Sequence, residues 1–324
     1  MQRALPRRFA LAAMAAFTAL AVLPAAAQTY PDKPLTFIVP FAAGSATDQI
    51  ARAVGQAVTE ATGQQVVVDN KPGANSFIGA QAAARAKNDG YSVLITTNTT
   101  HAANEHLFKK LPYDPVKDFE PVTLLGKGGQ ILVVNPSVPA NNVAEFIKLA
   151  KSQPGKVTFG YGSSSSRVAG ELFEQMTGAD IQPVPYRSNP LGITDLLGGQ
   201  IQAMFTDSAT GLPQVKGGKL RALGVTASKR SPLAPEVPTI AETVPGYESG
   251  FWFAAYVPAG TPAPVVARLN EIMVKAARTP TAAKFYEPTG TELVTSTPDE
   301  LRRFQAAESQ KWRKIIETAG IEKE

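Results

Sequence analysis

The chain has 324 residues, 44% of them hydrophobic and 18% charged, with 26 Gly, 26 Pro, no Cys, 2 His and a formal net charge of +5. That length and apolar content give a large buried core and about two domains, and exclude a disordered chain. Without cysteine there is no disulfide, thiol chemistry, iron–sulfur cluster or cysteine-bound zinc, and two histidines are too few for a histidine metal cage, so neither a cofactor nor a metal site is expected.

Residues 1–27 open on Arg3, Arg7 and Arg8, run apolar from Phe9 to Leu23 and end on Ala25-Ala26-Ala27. These are the basic, apolar and small-residue regions of a cleavable export signal, too short for a comfortable membrane span. The pair Arg7-Arg8 leaves both the general secretory and the twin-arginine routes open, and the lack of Cys at the cleavage site argues against a lipid anchor. Removing three arginines and no acids from 32 basic residues leaves 29 against 27 acidic, about +2. The charge argument for a nucleic-acid partner disappears with them.

From there apolar runs of strand length alternate with helical patterns, as parallel α/β units require, and a doubly wound α/β architecture is expected. Candidate strands are 35–40, 65–68, 92–96, 131–135, 157–161, 181–186 and 221–226, β-branched or aromatic and bounded by Gly, Pro or Asn. Helices are expected over 47–62, 78–87 and 143–153, the last opened by Asn142 with Glu145 three residues on. Thr297-Pro298-Asp299-Glu300 is a stronger start signal, and the helix it opens carries Leu301, Phe304, Trp312, Ile315 and Ile316 on one face as core.

A strand, a turn of small residues and a helix recur twice: Phe37 to Asp48, through Ala43-Gly44-Ser45-Ala46-Thr47, and Val157 to Arg167, through Gly162-Ser163-Ser164-Ser165-Ser166. Such a turn leaves the first helical N–H groups unpaired at the positive end of the helix dipole, where anions bind. Two of them facing each other would clamp a small anion without a cofactor. A catalytic reading is weaker, because no G-x-S-x-G elbow surrounds the serines and His101 and His106 lack zinc-helix spacing.

Several blocks now occur in a telling order. Tyr30-Pro31-Asp32-Lys33-Pro34 precedes Ile38-Val39-Pro40-Phe41, Ala43-Gly44 and Asp48; Asn70-Lys71-Pro72-Gly73-Ala74, His101, Leu111-Pro112-Tyr113-Asp114-Pro115 and Asp118-Phe119-Glu120-Pro121-Val122 follow. Val184-Pro185-Tyr186-Arg187, Asp195-Leu196-Leu197-Gly198-Gly199-Gln200, Pro235-Glu236-Val237-Pro238-Thr239 and Pro258-Ala259-Gly260-Thr261-Pro262 complete the series. With these the chain resembles the substrate-binding proteins of tripartite tricarboxylate transporters, the Bug family of periplasmic receptors.

The resemblance implies a two-lobed periplasmic-binding-protein fold of type II, the Venus-flytrap fold, with residues 28–126 plus 253–324 as lobe 1 and 127–252 as lobe 2. It implies a monomeric receptor that is not an enzyme, closes on a small organic carboxylate and presents the closed shape to membrane permease subunits. Mapped onto this chain, Ala43, Gly44, Ser45, Ala46 and Thr47 would grip the carboxylate, with Asp48 capping the helix behind them. Asn98, Thr99 and His101 would line lobe 1, and Ser163, Ser164, Ser165, Tyr186 and Asp207 lobe 2. Arg167 and Arg187-Ser188 stand where relatives commonly carry His and Lys-Gly. Arg167 would then reach the distal carboxylate of a di- or tricarboxylate, or of an aromatic acid flanked by Trp252 or Phe41, unless it pairs with Glu171 at i+4. The competing functions are a sensing module for a membrane kinase and an exported hydrolase using a serine of the 163–166 run.

Overall fold

A computed structural model describes residues 30–324; the export signal expected over residues 1–27 lies outside the described residues. The strand β1 (Leu35–Val39) is apolar along almost its whole length because both its faces are covered, the pattern of a buried parallel strand. It pairs in parallel with β2 (Val66–Asn70) on one side and β3 (Ser92–Thr97) on the other. The same arrangement returns in the second half, where β5 (Val157–Tyr161) lies parallel to β6 (Ile181–Pro185) and β7 (Ala203–Asp207).

Two antiparallel strands, β4 (Phe119–Val134) and β9 (Gly250–Pro258), join the halves. β4 changes partners along its length. Its Phe119–Gly129 portion pairs with β9, and from Gln130 onward it pairs with β7, while β8 (Arg221–Val225) takes over the edge that β9 leaves. The order is β2-β1-β3-β9-β4-β7-β5-β6, with β8 also on β4. The expected parallel units are present in each half, and the two antiparallel strands between them are what the doubly wound expectation lacked. Three pieces are absent from the sequence-based strands: β7, β9 and the first three quarters of β4. In β4, Pro121 and Gly126, Gly128 and Gly129 interrupt the apolar pattern, and its register with β9 slips at Pro121/Thr123 and Leu124/Gly126. Gly128 is needed there, since a Cβ would stand 2.7 Å from the Phe251 ring.

The helices are α1 (Ala46–Thr62), α2 (Phe77–Ala84), α3 (Asn104–Leu107), α4 (Val143–Ser152), α5 (Ser164–Thr177), α6 (Asn189–Leu197), α7 (Ser208–Lys216), α8 (Ala263–Ala277), α9 (Pro280–Thr289) and α10 (Pro298–Thr318). On one face of the first half, Phe37, Ile50, Val54, Phe253, Leu269 and Phe285 form a core between the sheet and α1, α8 and α9. The other face is covered by α2 and α10, with Ile38, Leu94, Tyr256 and Trp312 between. The second half repeats the sandwich with Phe146, Phe159, Phe173 and Phe205 on one face and Ile131, Val133, Leu196 and Met204 on the other. Each such side chain contributes roughly 1.5–3 kcal/mol by leaving water. α10 starts at the expected Thr297 capping box, and its Leu301, Trp312 and Ile316 are buried. Its Ile315 also touches the core of the second half, so this helix leans on both.

Candidate functional site

After β1 the chain turns through Gly44, at φ +81°, into α1. Ser45 is the N-cap, with its Oγ accepting from the Asp48 amide at 3.3 Å. Asp48, expected as the cap, instead braces the turn from behind: its carboxylate accepts from the Gly44 amide at 2.9 Å, Arg52 Nε at 3.0 Å and Asn70 Nδ2 at 3.0 Å. Burial pushes this carboxyl up, and those donors outweigh it, holding it below the usual carboxylate value. The Ala46 and Thr47 amides belong to the first turn and have no partner inside the helix.

The second turn is tighter. Ser163 caps α5, accepting from the Ser166 amide at 3.2 Å, while Ser166 Oγ accepts from the Ser163 amide at 3.1 Å and the Gly162 amide at 3.2 Å. A Cβ on Gly162 would lie 2.1 Å from the Asn189 backbone nitrogen. Asn189, at the start of α6, accepts from Gly162 through Oδ1 at 3.0 Å and donates through Nδ2 to Asp207 at 2.7 Å. Asp207 in turn caps α7, accepting from the Thr210 amide at 2.8 Å. Three helices of the second half therefore begin at one place.

These termini face α1 across a small cavity of about 40 Å³. Ser45, Ala46, Thr47 and Thr97 line it from the first half and Gly162, Ser163, Ser165, Asn189, Asp207 and Gln130 from the second. Phe41, Phe251 and Phe253 supply apolar walls. No Lys, Arg or His lines it, so any attraction for an anion comes from helix dipoles and amides. The halves also bond directly to each other: Thr99 and Ser165 share a hydroxyl hydrogen bond at 3.1 Å, Ser164 Oγ donates to Asn104 Oδ1 at 2.6 Å, and Ser165 Oγ donates to Asn98 Oδ1 at 3.4 Å. A cavity of this size takes a water molecule or two, and an organic acid needs the halves to part.

Of the expected residues, Phe41, Ser45, Ala46, Thr47, Ser163, Ser165 and Asp207 are brought together here. Asn98, Thr99 and Ser164 lie at the seam between the halves. The others are corrections. Ala43 and Gly44 are exposed and do not line the cavity, and the Gly44 amide is already held by Asp48. His101 is fully buried, stacked on Tyr256 at 3.9 Å, and burial pushes its ring down to about 3, so it is neutral. Arg167 is bound by Glu171 at 2.7 Å and Glu324 at 2.5 Å, and does not line the cavity. Tyr186 donates to Asp195 at 2.9 Å and packs on Gly160 and Gly192. Trp252 donates to Glu308 at 3.0 Å and points to the opposite face of β9 from Phe251 and Phe253.

Thr97, Gln130, Asn189, Phe251 and Phe253 escaped the sequence reading. The two phenylalanines were findable, because period two in Phe251-Trp252-Phe253 puts Trp252 on the other face. Gln130, a polar residue entering an apolar strand, was the other available signal.

A larger groove of about 870 Å³ lies beside the crossing strands, walled by Trp252, Phe304 and Trp312. Its ionisable residues carry both signs, and Lys311 is paired with Glu248 and Arg230 with Glu242, so it offers no preference for an anion. Among the described residues no cluster of His, Asp and Glu is placed to hold a metal ion, and no helix is long and apolar enough to cross a membrane.

Residues 50–321 match the model of the tripartite tricarboxylate transporter family receptor. Among solved structures, R. palustris Rpa4515 with adipate is 33% identical, with a TM-score of 0.88 over 91% of this chain and 100% of that one. The periplasmic binding protein BugD is 30% identical, with a TM-score of 0.87 over 91% and 100%. MatC (Rpa3494) from Rhodopseudomonas palustris with bound malate is 28% identical, with a TM-score of 0.84 over 89% and 100%. The fold is thus the two-lobed one of periplasmic binding proteins.

Proposed function

Because the chain belongs to the tripartite tricarboxylate transporter receptor family, whose members are solute-binding proteins and not enzymes, we propose that it captures a small carboxylate in the periplasm and hands it to membrane permease subunits. Export by residues 1–27 would bring it there. Residues 28–126 with 253–324 act as one lobe and 127–252 as the other, a division supported by the change of partners of β4 at Gly129/Gln130. The ligand stabilises the closed form because it bonds to both lobes, and the permease distinguishes that shape from the open one. The receptor works as a monomer.

One observation carries this reading: helix N-termini from both lobes converge on a cavity that contains no cationic side chain. Relatives with adipate and malate bound support the carboxylate class. The Ala46 and Thr47 amides with the Ser45 hydroxyl take the carboxylate on lobe 1, and the Ser163 and Ser165 end of α5 meets it from lobe 2. Serine hydrolysis finds no support, since the Ser163 and Ser166 hydroxyls are engaged in capping each other's helix turn.

Ala46→Pro tests the grip. Proline is accommodated at the first helical position, and Ser45 before it is already extended (φ −66°, ψ 158°), so the helix survives while one ligand-facing N–H is deleted. Affinity for the tightest acid in a panel of dicarboxylates and aromatic carboxylates, measured by calorimetry, should fall about tenfold or more with little change in melting temperature. Unchanged affinity would refute the amide grip.

A further inference from the structure

We propose that Arg167 and Glu324 form a latch that holds the two lobes shut on whatever ligand lies between them, without touching it; this rests on the reading above that the lobes part to exchange ligand. Arg167 stands near the head of α5, the helix whose Ser163 and Ser165 line the cavity. Its Nε donates to Glu171 Oε1 at 2.7 Å and its Nη1 to Glu324 Oε1 at 2.5 Å. Glu171 belongs to the same helix and travels with Arg167. Glu324 does not: its amide donates to the Leu107 carbonyl at 2.9 Å and its carbonyl accepts from the Lys109 amide at 2.7 Å, so two backbone bonds fix it to the other lobe. Lys323 beside it donates to the Glu105 carbonyl at 2.9 Å.

The pair continues a line of contacts between the lobes. Thr99 meets Ser165, Asn104 meets Ser164, and the segment just beyond Asn104 carries Glu324 to Arg167. The first two contacts are neutral, and a hydroxyl or amide that loses such a partner when the lobes part takes up water at little net cost. The third is charged, and the Arg167 side chain is only 15% exposed. A guanidinium so far removed from water depends on its carboxylates, and parting the lobes takes one of the two away. The Glu324 carboxylate is half exposed, so the pair is weaker than a fully buried one and can break when ligand leaves. A second ion pair between the lobes, Lys311 with Glu248, is longer at 3.4 Å and half exposed at both ends, and contributes little. Because the latch stabilises the closed form alone, it raises the affinity for every ligand by the same factor.

Calorimetry and stopped-flow dissociation on the purified protein, with succinate, malate, adipate and phenylacetate as probes, test this. Glu324→Gln keeps the backbone bonds and removes the charge. It should weaken every acid that binds by one common factor, about threefold to tenfold, mainly through faster release. Glu171→Gln removes the carboxylate that stays on the same lobe as Arg167 and should leave affinity within about twofold. Unchanged affinity in Glu324→Gln, a loss that differs between acids, or an equal loss in Glu171→Gln would overturn the latch. If none of the acids binds, the carboxylate reading falls, and small-angle scattering of the ligand-free protein decides the latch. There Glu324→Lys, which sets a second cation against Arg167, should enlarge the radius of gyration; an equal radius would overturn the assignment.

Discussion

The turn at the head of α1 and the turn at the head of α5 do the same local thing by different means. Both follow a parallel strand, both are capped by serine, and both aim unpaired amides into the cleft. The first is braced by a charged cluster behind it, Asp48 with Arg52 and Asn70, and swings wide through exposed Gly44. The second is braced by hydroxyls and an amide, Ser166 and Asn189, and is wedged against α6 with no room at Gly162. Neither turn brings a cationic side chain to the cavity: the ion pair of the first stands behind it, the second is held by neutral groups, and the Asp207 carboxylate that lines the cavity is tied to Asn189 and the head of α7. An anion site built this way needs no cationic side chain, so the arginine that looks most suited to a carboxylate is free for structural work.

The largest effect should come from breaking the wedge. Gly162→Ala puts a methyl 2.1 Å from the Asn189 backbone, which forces α5 and α6 apart and should cost about 3 kcal/mol or more in a denaturant titration. An alanine added at Gly44 would meet no atom within 4 Å and would suffer only from its positive φ, at about 1 kcal/mol. Similar losses at the two glycines would erase the contrast. Next is Arg167→Ala, which removes both its ion pairs and leaves Glu171 half-buried and alone. A stability loss of about 1–2 kcal/mol is expected, with any change in affinity the same for mono- and dicarboxylates; a selective loss for dicarboxylates would return Arg167 to the ligand. The smallest effect is one of slope. The Asp48 carboxyl lies below its unfolded value, so it stabilises the fold above about pH 4 and that contribution is lost as pH falls through the folded value. Asp48→Asn should therefore flatten the fall in stability below about pH 4, and an unchanged slope would mean that Asp48 does not hold the first turn.

Much of the cleft was legible because it is built from local signals. A small-residue turn between a strand and a helix marks its own free amides, and Ser45, Ala46, Thr47, Ser163 and Ser165 lie in the two turns so marked, although the cap of the first is Ser45 and not the expected Asp48. The misassigned residues share another trait. His101, Tyr186, Arg167 and Trp252 are large side chains whose direction depends on what lies on the other side of the sheet. His101 stacks on Tyr256, from a strand some 150 residues away, and Arg167 meets Glu324 from the far end of the chain.

By itself the sequence determined the parallel units, the helix starts and the kind of ligand that two such turns would attract, since each follows from propensity, periodicity and capping within about a dozen residues. The tertiary structure alone decided that β4 and β9 run antiparallel through the middle and which phenylalanines wall the cavity. Those outcomes rest on pairing between strands more than a hundred residues apart, and no window of the chain contains both partners of such a pair.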